Sequence, residues 1–127
     1  MPITAPYAAV LALMLVVLTH LVVRARAKTT VTLGDGADPR LIEASRCQMN
    51  FVENVPMALI LMILAEAGGA SAMWLNLAGA VLVLARLIHP FGITVKTKDH
   101  PLRIAGILAT NAVQLGMALL LAVQFFA

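Results

Sequence analysis

Four residues carry chemistry into an otherwise apolar chain: Arg46, Asn50, Glu53 and Pro56, within the stretch LIEASRCQMNFVENVP from Leu41 to Pro56. On a helix turning about 100° per residue, Arg46, Asn50 and Glu53 fall within an arc of roughly 60°, spread over roughly 10 Å of axis. A cation, an amide and a carboxylate thus line one face. Such groups are costly at membrane depth and normally face a bundle interior or a polar cavity. Arginine grips carboxylates bidentately, so a face of this kind suits an anionic ligand.

The remaining unusual residues gather toward the same level. Arg86 and His89 stand near the end of a third apolar segment, and Arg103 near the start of a fourth. Arg103, Thr110 and Gln114 share one helical stripe, and Gly106 and Thr110 form a small-xxx-small pair that permits close helix approach. Three arginines against one intramembrane glutamate leave a surplus of positive charge. A second reading of the same residues is structural: Arg46 or Arg86 paired with Glu53 would fix helix register. Residue types alone leave both readings open.

The elements that must position these groups are membrane helices. Hydrophobic residues make up 61% of the 127 residues and charged residues 12%, with a mean hydropathy of +0.95. That composition belongs to a membrane protein of one domain. The net charge is +3 and the pI near 9.6, but no basic stripe with interleaved aromatics supports nucleic-acid binding. The single cysteine, Cys47, excludes an intrachain disulfide and a multi-cysteine metal site.

Four spans are expected, at about 5–24, 39–67, 72–91 and 100–126, as an all-α four-helix membrane bundle. The first reads as a signal anchor that is retained. Asp38 with Pro39 should cap the second helix, and Asp99 with Pro101 the fourth. Pro56 should kink the second helix beyond Glu53. Glu66 falls opposite Arg46 and reads as solvated; Tyr7 and Trp74 read as interfacial anchors and Cys47 as a packing residue. Arg24, Arg26, Lys28, Arg40, Arg46, Lys96, Lys98 and Arg103 flank the first and third connections, whereas the EAGGAS turn and both termini carry no Lys or Arg. The positive-inside rule then places both basic connections in the cytoplasm and both termini on the other side.

The pattern Arg46-x3-Asn50-x2-Glu53-x2-Pro56, with ARLIHPFGI (Ala85 to Ile93) and PLRIAG (Pro101 to Gly106), resembles the MAPEG superfamily, membrane-associated proteins of eicosanoid and glutathione metabolism. The resemblance spans nearly the whole chain. It implies a homotrimer of four-helix subunits, binding glutathione as co-substrate between subunits near the cytoplasmic face; the short chain and tight loops suit a bacterial inner membrane. Arg46, Asn50 and Glu53 would hold the tripeptide, Arg86 and His89 would border it, and Arg103 would face the thiol as the catalytic residue. An arginine beside sulfur favours the thiolate, which could attack a lipophilic electrophile or a lipid hydroperoxide arriving from the bilayer. The chain departs from eicosanoid-type members at Ile93, where they place a tyrosine, from prostaglandin E synthase-like members at Ile104, where they have a hydroxyl residue, and from some relatives at Met49, where they have a second basic residue. The resemblance therefore implies a general microsomal-type glutathione transferase or peroxidase. A lipid-binding or scaffold member without catalysis is the alternative. A small proton-coupled exporter stands further off, since the first helix has no carboxylate.

Overall fold

The computed structural model describes residues 2–97 and 99–126; Lys98, expected to be a topology charge, lies outside them. Four helices follow one another: α1 (Thr4–Arg26), α2 (Pro39–Ala67), α3 (Ala72–Ile88) and α4 (Pro101–Phe126). Each is long and apolar enough to cross a membrane, counting with α3 the short 3₁₀ segment His89–Gly92 that prolongs it. The only β-type pairing among the described residues is one bridge between Thr94 and Thr97. This is the all-α membrane bundle expected from composition.

Local chemistry sets the ends of the helices. Asp38 is the N-cap of α2, accepting from the backbone N–H of Arg40 (2.9 Å) and Leu41 (3.2 Å), with Pro39 at the first helical position. These bonds, led by that from Leu41, hold the Asp38 carboxyl below its ordinary pKa of 3.8. The α-helical part of α3 stops at Ile88 because Pro90 has no N–H to continue the ladder, and the chain tightens into the 3₁₀ segment. Asp99 does not cap α4. His100 does, its carbonyl accepting from the N–H of Arg103 (3.0 Å) and Ile104 (3.1 Å) and its Nδ1 from that of Leu102 (3.3 Å). With Pro101 as first helical residue the cap must be position 100, so Asp99 sits one residue too early.

The helices alternate in direction, as the contacts at the two ends require. At one end the Glu66 carboxylate accepts from the backbone N–H of Ile3 and Thr4, joining the end of α2 to the start of α1. Gln124, near the end of α4, donates to the carbonyls of Ala65 (3.2 Å) and Gly68 (3.1 Å). Tyr7 donates to Asn76 Oδ1 (2.7 Å), and its ring lies over Gly79, where a Cβ would stand 2.5 Å from it. Glu66 is therefore a cap for α1 rather than a merely solvated carboxylate. Its bonds satisfy amides that a helix start leaves without partners.

The core runs along the bundle axis through Leu11, Leu18, Phe51, Val55, Ala58, Met62, Leu75, Leu82, Val113 and Met117. Many large apolar side chains instead face outward, among them Leu13, Ile60, Leu84, Leu115 and Val123, as a lipid-facing surface demands. Helix α2 continues through Pro56. Two residues before that proline, the Asn54 carbonyl accepts a bond from Gln114 of α4 at 2.8 Å. The expected stripe on α4 thus turns inward, with Thr110 buried and Gln114 crossing to α2.

Candidate functional site

The end opposite Glu66 holds the basic residues and a cavity of about 410 Å³. Its wall on α2 comprises Ile42, Glu43, Arg46, Met49, Asn50 and Glu53. These positions recur at helical spacing, which is why one face supplies them all. His89, Ile93, Thr94 and Val95 close a second side, and Arg103 of α4 a third. Five residues singled out by type and spacing, Arg46, Asn50, Glu53, His89 and Arg103, therefore share one space.

Arg86 is not among the residues that line it. Its side chain is 2% exposed and acts from behind the wall. One terminal guanidinium nitrogen donates to Asn50 Oδ1 at 2.8 Å and the other to the carbonyl of Gly106 at 2.9 Å, while Nε has no partner among the described residues. Arg86 thereby ties α3 to both α2 and α4. Gly106 makes the second contact possible, because a Cβ there would lie 2.8 Å from His89 Cβ and 2.9 Å from the Ala85 carbonyl. Thr110 Oγ1 donates to the same Gly106 carbonyl at 2.8 Å. The small-xxx-small pair on α4 serves this close approach.

Sequence reasoning missed Glu43. It lines the cavity, and one carboxylate oxygen accepts from the backbone N–H of Val95 at 2.8 Å, pinning the connection after the 3₁₀ segment to α2. The signal was present, since Glu43 falls within about 20° of the arc of Arg46, Asn50 and Glu53. Its inclusion changes the electrostatics. With Arg86 behind the wall, two arginines (Arg46 and Arg103) face two carboxylates (Glu43 and Glu53) around the cavity. The expected surplus of positive charge gives way to a balanced set, suited to a ligand that carries both signs. Among the described residues the ion pair within 4 Å joins Arg40 to Asp38; Arg46 and Glu53 are not paired with each other. The register-fixing reading thus falls to Arg86 and Asn50.

His89 is also 2% exposed, and its Nε2 has no hydrogen-bond partner among the described residues. A buried polar atom without a partner normally marks a place for water or ligand. Gly92 sets the position of Arg103: a Cβ at 92 would lie 2.3 Å from the Arg103 backbone nitrogen. The 3₁₀ segment therefore packs directly on the first turn of α4. Cys47 Sγ lies 4.0 Å from the Pro90 carbonyl, within the same junction.

With this arrangement described, comparison with known proteins decides the family. Residues 4–123 match the MAPEG family. The chain belongs to the MAPEG family. Relatives include the protein named "Inner membrane protein YecN" in Escherichia coli K12, 38% identical over 90 residues, covering 71% of this chain and 69% of the relative. The protein of the same name in Escherichia coli O6:H1 matches to the same extent. MAPEG membership makes this a membrane protein of the glutathione and eicosanoid metabolism family, and Arg46, Asn50 and Glu53 of the motif that pointed to it line the cavity.

Proposed function

We propose that the cavity at the basic end binds glutathione and holds it as the thiolate. The observation that carries this reading is the balanced lining of Arg46, Arg103, Glu43 and Glu53, with Asn50 and His89 between them. Glutathione presents two carboxylates and an ammonium, and this wall offers two guanidiniums and two carboxylates in return. Arg103 is the catalytic residue in this reading: its positive charge beside the sulfur stabilises the thiolate over the thiol.

In the transferase reaction the thiolate sulfur forms a bond to the electrophilic carbon of a lipophilic substrate, and the leaving group departs with its electron pair. In the peroxidase reaction two glutathione molecules supply two electrons; the hydroperoxide O–O bond breaks to give alcohol and water, and the disulfide forms. The apolar outer surface supports arrival of the second substrate through the bilayer. Arg46 and Glu53 are exposed on the single chain, which supports a homotrimer in which a neighbouring copy covers them. The name of the relatives and the basic connections support a bacterial inner membrane, with both termini away from the cytoplasm.

Ultraviolet difference absorbance of the detergent-purified protein tests the proposal. Adding glutathione should give a thiolate signal that falls at least about tenfold in Arg103→Ala. An undiminished signal in that variant would remove Arg103 from its role. Silence in both proteins would favour the lipid-binding alternative, for which Ile42, Met49, Ile93 and Val95 supply an apolar side to the cavity.

A further inference from the structure

The geometry points to Arg86 as a positioning residue that fixes the polarity of the cavity wall. It holds Asn50 with its amide NH₂ toward the cavity, so that this wall donates and selects a hydrogen-bond acceptor on the ligand, a carboxylate or amide carbonyl oxygen. The inference deepens the glutathione reading and rests on it for the identity of the ligand.

The argument begins with donor inventory. An asparagine side chain presents a carbonyl oxygen on one side and an NH₂ on the other, and an isolated amide can turn either way. Arginine has five N–H donors and no acceptor. The 2.8 Å contact between Arg86 and Asn50 therefore has one allowed sense, with Asn50 Oδ1 accepting. Turning the amide would set NH₂ against NH₂ in the bundle interior, leaving a buried donor without its partner.

Arg86 cannot retreat to allow that turn, because its second terminal nitrogen is held by the Gly106 carbonyl at 2.9 Å and its side chain is buried. The backbone at Asn50 is held as well, its carbonyl accepting from the Asn54 side chain at 2.8 Å. Asn50 Nδ2 makes no hydrogen bond to a described residue, and it is not among the buried polar atoms left without a partner. Asn50 itself lines the cavity. The remaining amide face is thus the donor face, and it is accessible from the ligand side.

The consequence is a division of labour around the cavity. Glu43 and Glu53 offer acceptors, while Arg46, Arg103 and Asn50 offer donors, Asn50 doing so without a charge. Arg86 contributes no contact to the ligand in this account.

The test uses the full chain in detergent micelles with ¹⁵N-labelled asparagine. The side-chain signals of Asn50 are those missing from Asn50→Asp. Without ligand, a soluble gadolinium chelate should broaden the Asn50 NH₂ signals strongly and spare those of Asn54. Arg86→Met should reduce that broadening, and Arg86→Lys, which keeps a donor, should restore it. A parent Asn50 amide as shielded as that of Asn54 would overturn the orientation, and an unchanged amide in Arg86→Met would overturn the positioning role.

With glutathione as the probe, the Asn50 NH₂ signals should shift and become protected. Asn50→Asp keeps the oxygen facing Arg86 but loses the donor, so it should bind glutathione at least about tenfold more weakly while melting no lower than the parent. Equal affinity in that variant would overturn the donor role even if Arg86→Met fails to fold. If glutathione binds neither protein, the glutathione reading fails, and the gadolinium arm still decides the orientation by itself.

Discussion

The two ends of the bundle treat their polar residues in opposite ways. At the far end the main polar groups close structural bonds: Glu66 caps α1, Gln124 Nε2 bonds two carbonyls at the end of α2, and Tyr7 bonds Asn76 across to α3, while Thr4 Oγ1 and Gln124 Oε1 are buried without partners among the described residues. At the basic end Arg46, Glu53 and His89 Nε2 face a cavity with no such closure among the described residues. Arg86 there is committed within the bundle from behind the wall, and one oxygen of Glu43 holds the Val95 N–H. A fold this small thus concentrates its charged, ligand-accessible groups at one end of its axis. Both ends fasten helices, but only the basic end also frames a cavity lined by charged side chains.

Substitutions at matched positions should break or sharpen that contrast. The largest effect is expected from Gly92→Ala, whose Cβ would meet the backbone nitrogen and Cα of Arg103 at 2.3 and 2.9 Å. Backbone cannot turn aside, so the start of α4 must move. We expect a cost of about 3 kcal/mol in thermal or denaturant unfolding, together with loss of glutathione binding. Its far-end counterpart, Gly79→Ala, meets first the Tyr7 ring, side chain rather than backbone, at 2.5 to 2.7 Å. It should cost about 1–2 kcal/mol and leave binding within twofold of the parent, a comparison read by titration in the same detergent. Loss of binding in this variant would show that the two ends are coupled.

Smaller effects should separate the ends further. Glu66→Ala removes both acceptors at the start of α1 and should speed amide exchange at Ile3 and Thr4 by roughly fivefold, with no change at the cavity. The smallest effect concerns Asp38. Its folded pKa lies below the ordinary 3.8, so its capping contribution is complete above that pH and is lost as pH falls through the lower folded value. Exchange of the Arg40 and Leu41 amides should therefore accelerate only in that acidic window, and Asp38→Asn should flatten the profile.

Much of this architecture was legible in the sequence because the bilayer imposes length and apolarity on every span. The Asp38–Pro39 start of α2 followed from capping chemistry, and the Arg46, Asn50 and Glu53 face followed from helical period. What escaped detection were facts of contact between helices. Glu43 shares that period, yet only its bond to Val95 and its place on the wall distinguish it from a solvated charge. Arg86 has the residue type of a ligand-binding group, and its withdrawal behind Asn50 depends on how closely Gly106 lets α4 approach. Glu66 was read from its own helix alone, whereas its partners, Ile3 and Thr4, lie more than sixty positions earlier.

The buried Arg86 also bears on how the chain reaches the membrane. An arginine at the centre of a span costs about 3 kcal/mol on insertion into the bilayer. In the finished bundle its terminal nitrogens rest on Asn50, which is synthesised before it, and on Gly106, which is synthesised after it. The third span is therefore least at ease in the interval before the fourth arrives. Its biogenesis favours release into the bilayer beside α2, with α4 completing the shelter for the guanidinium last.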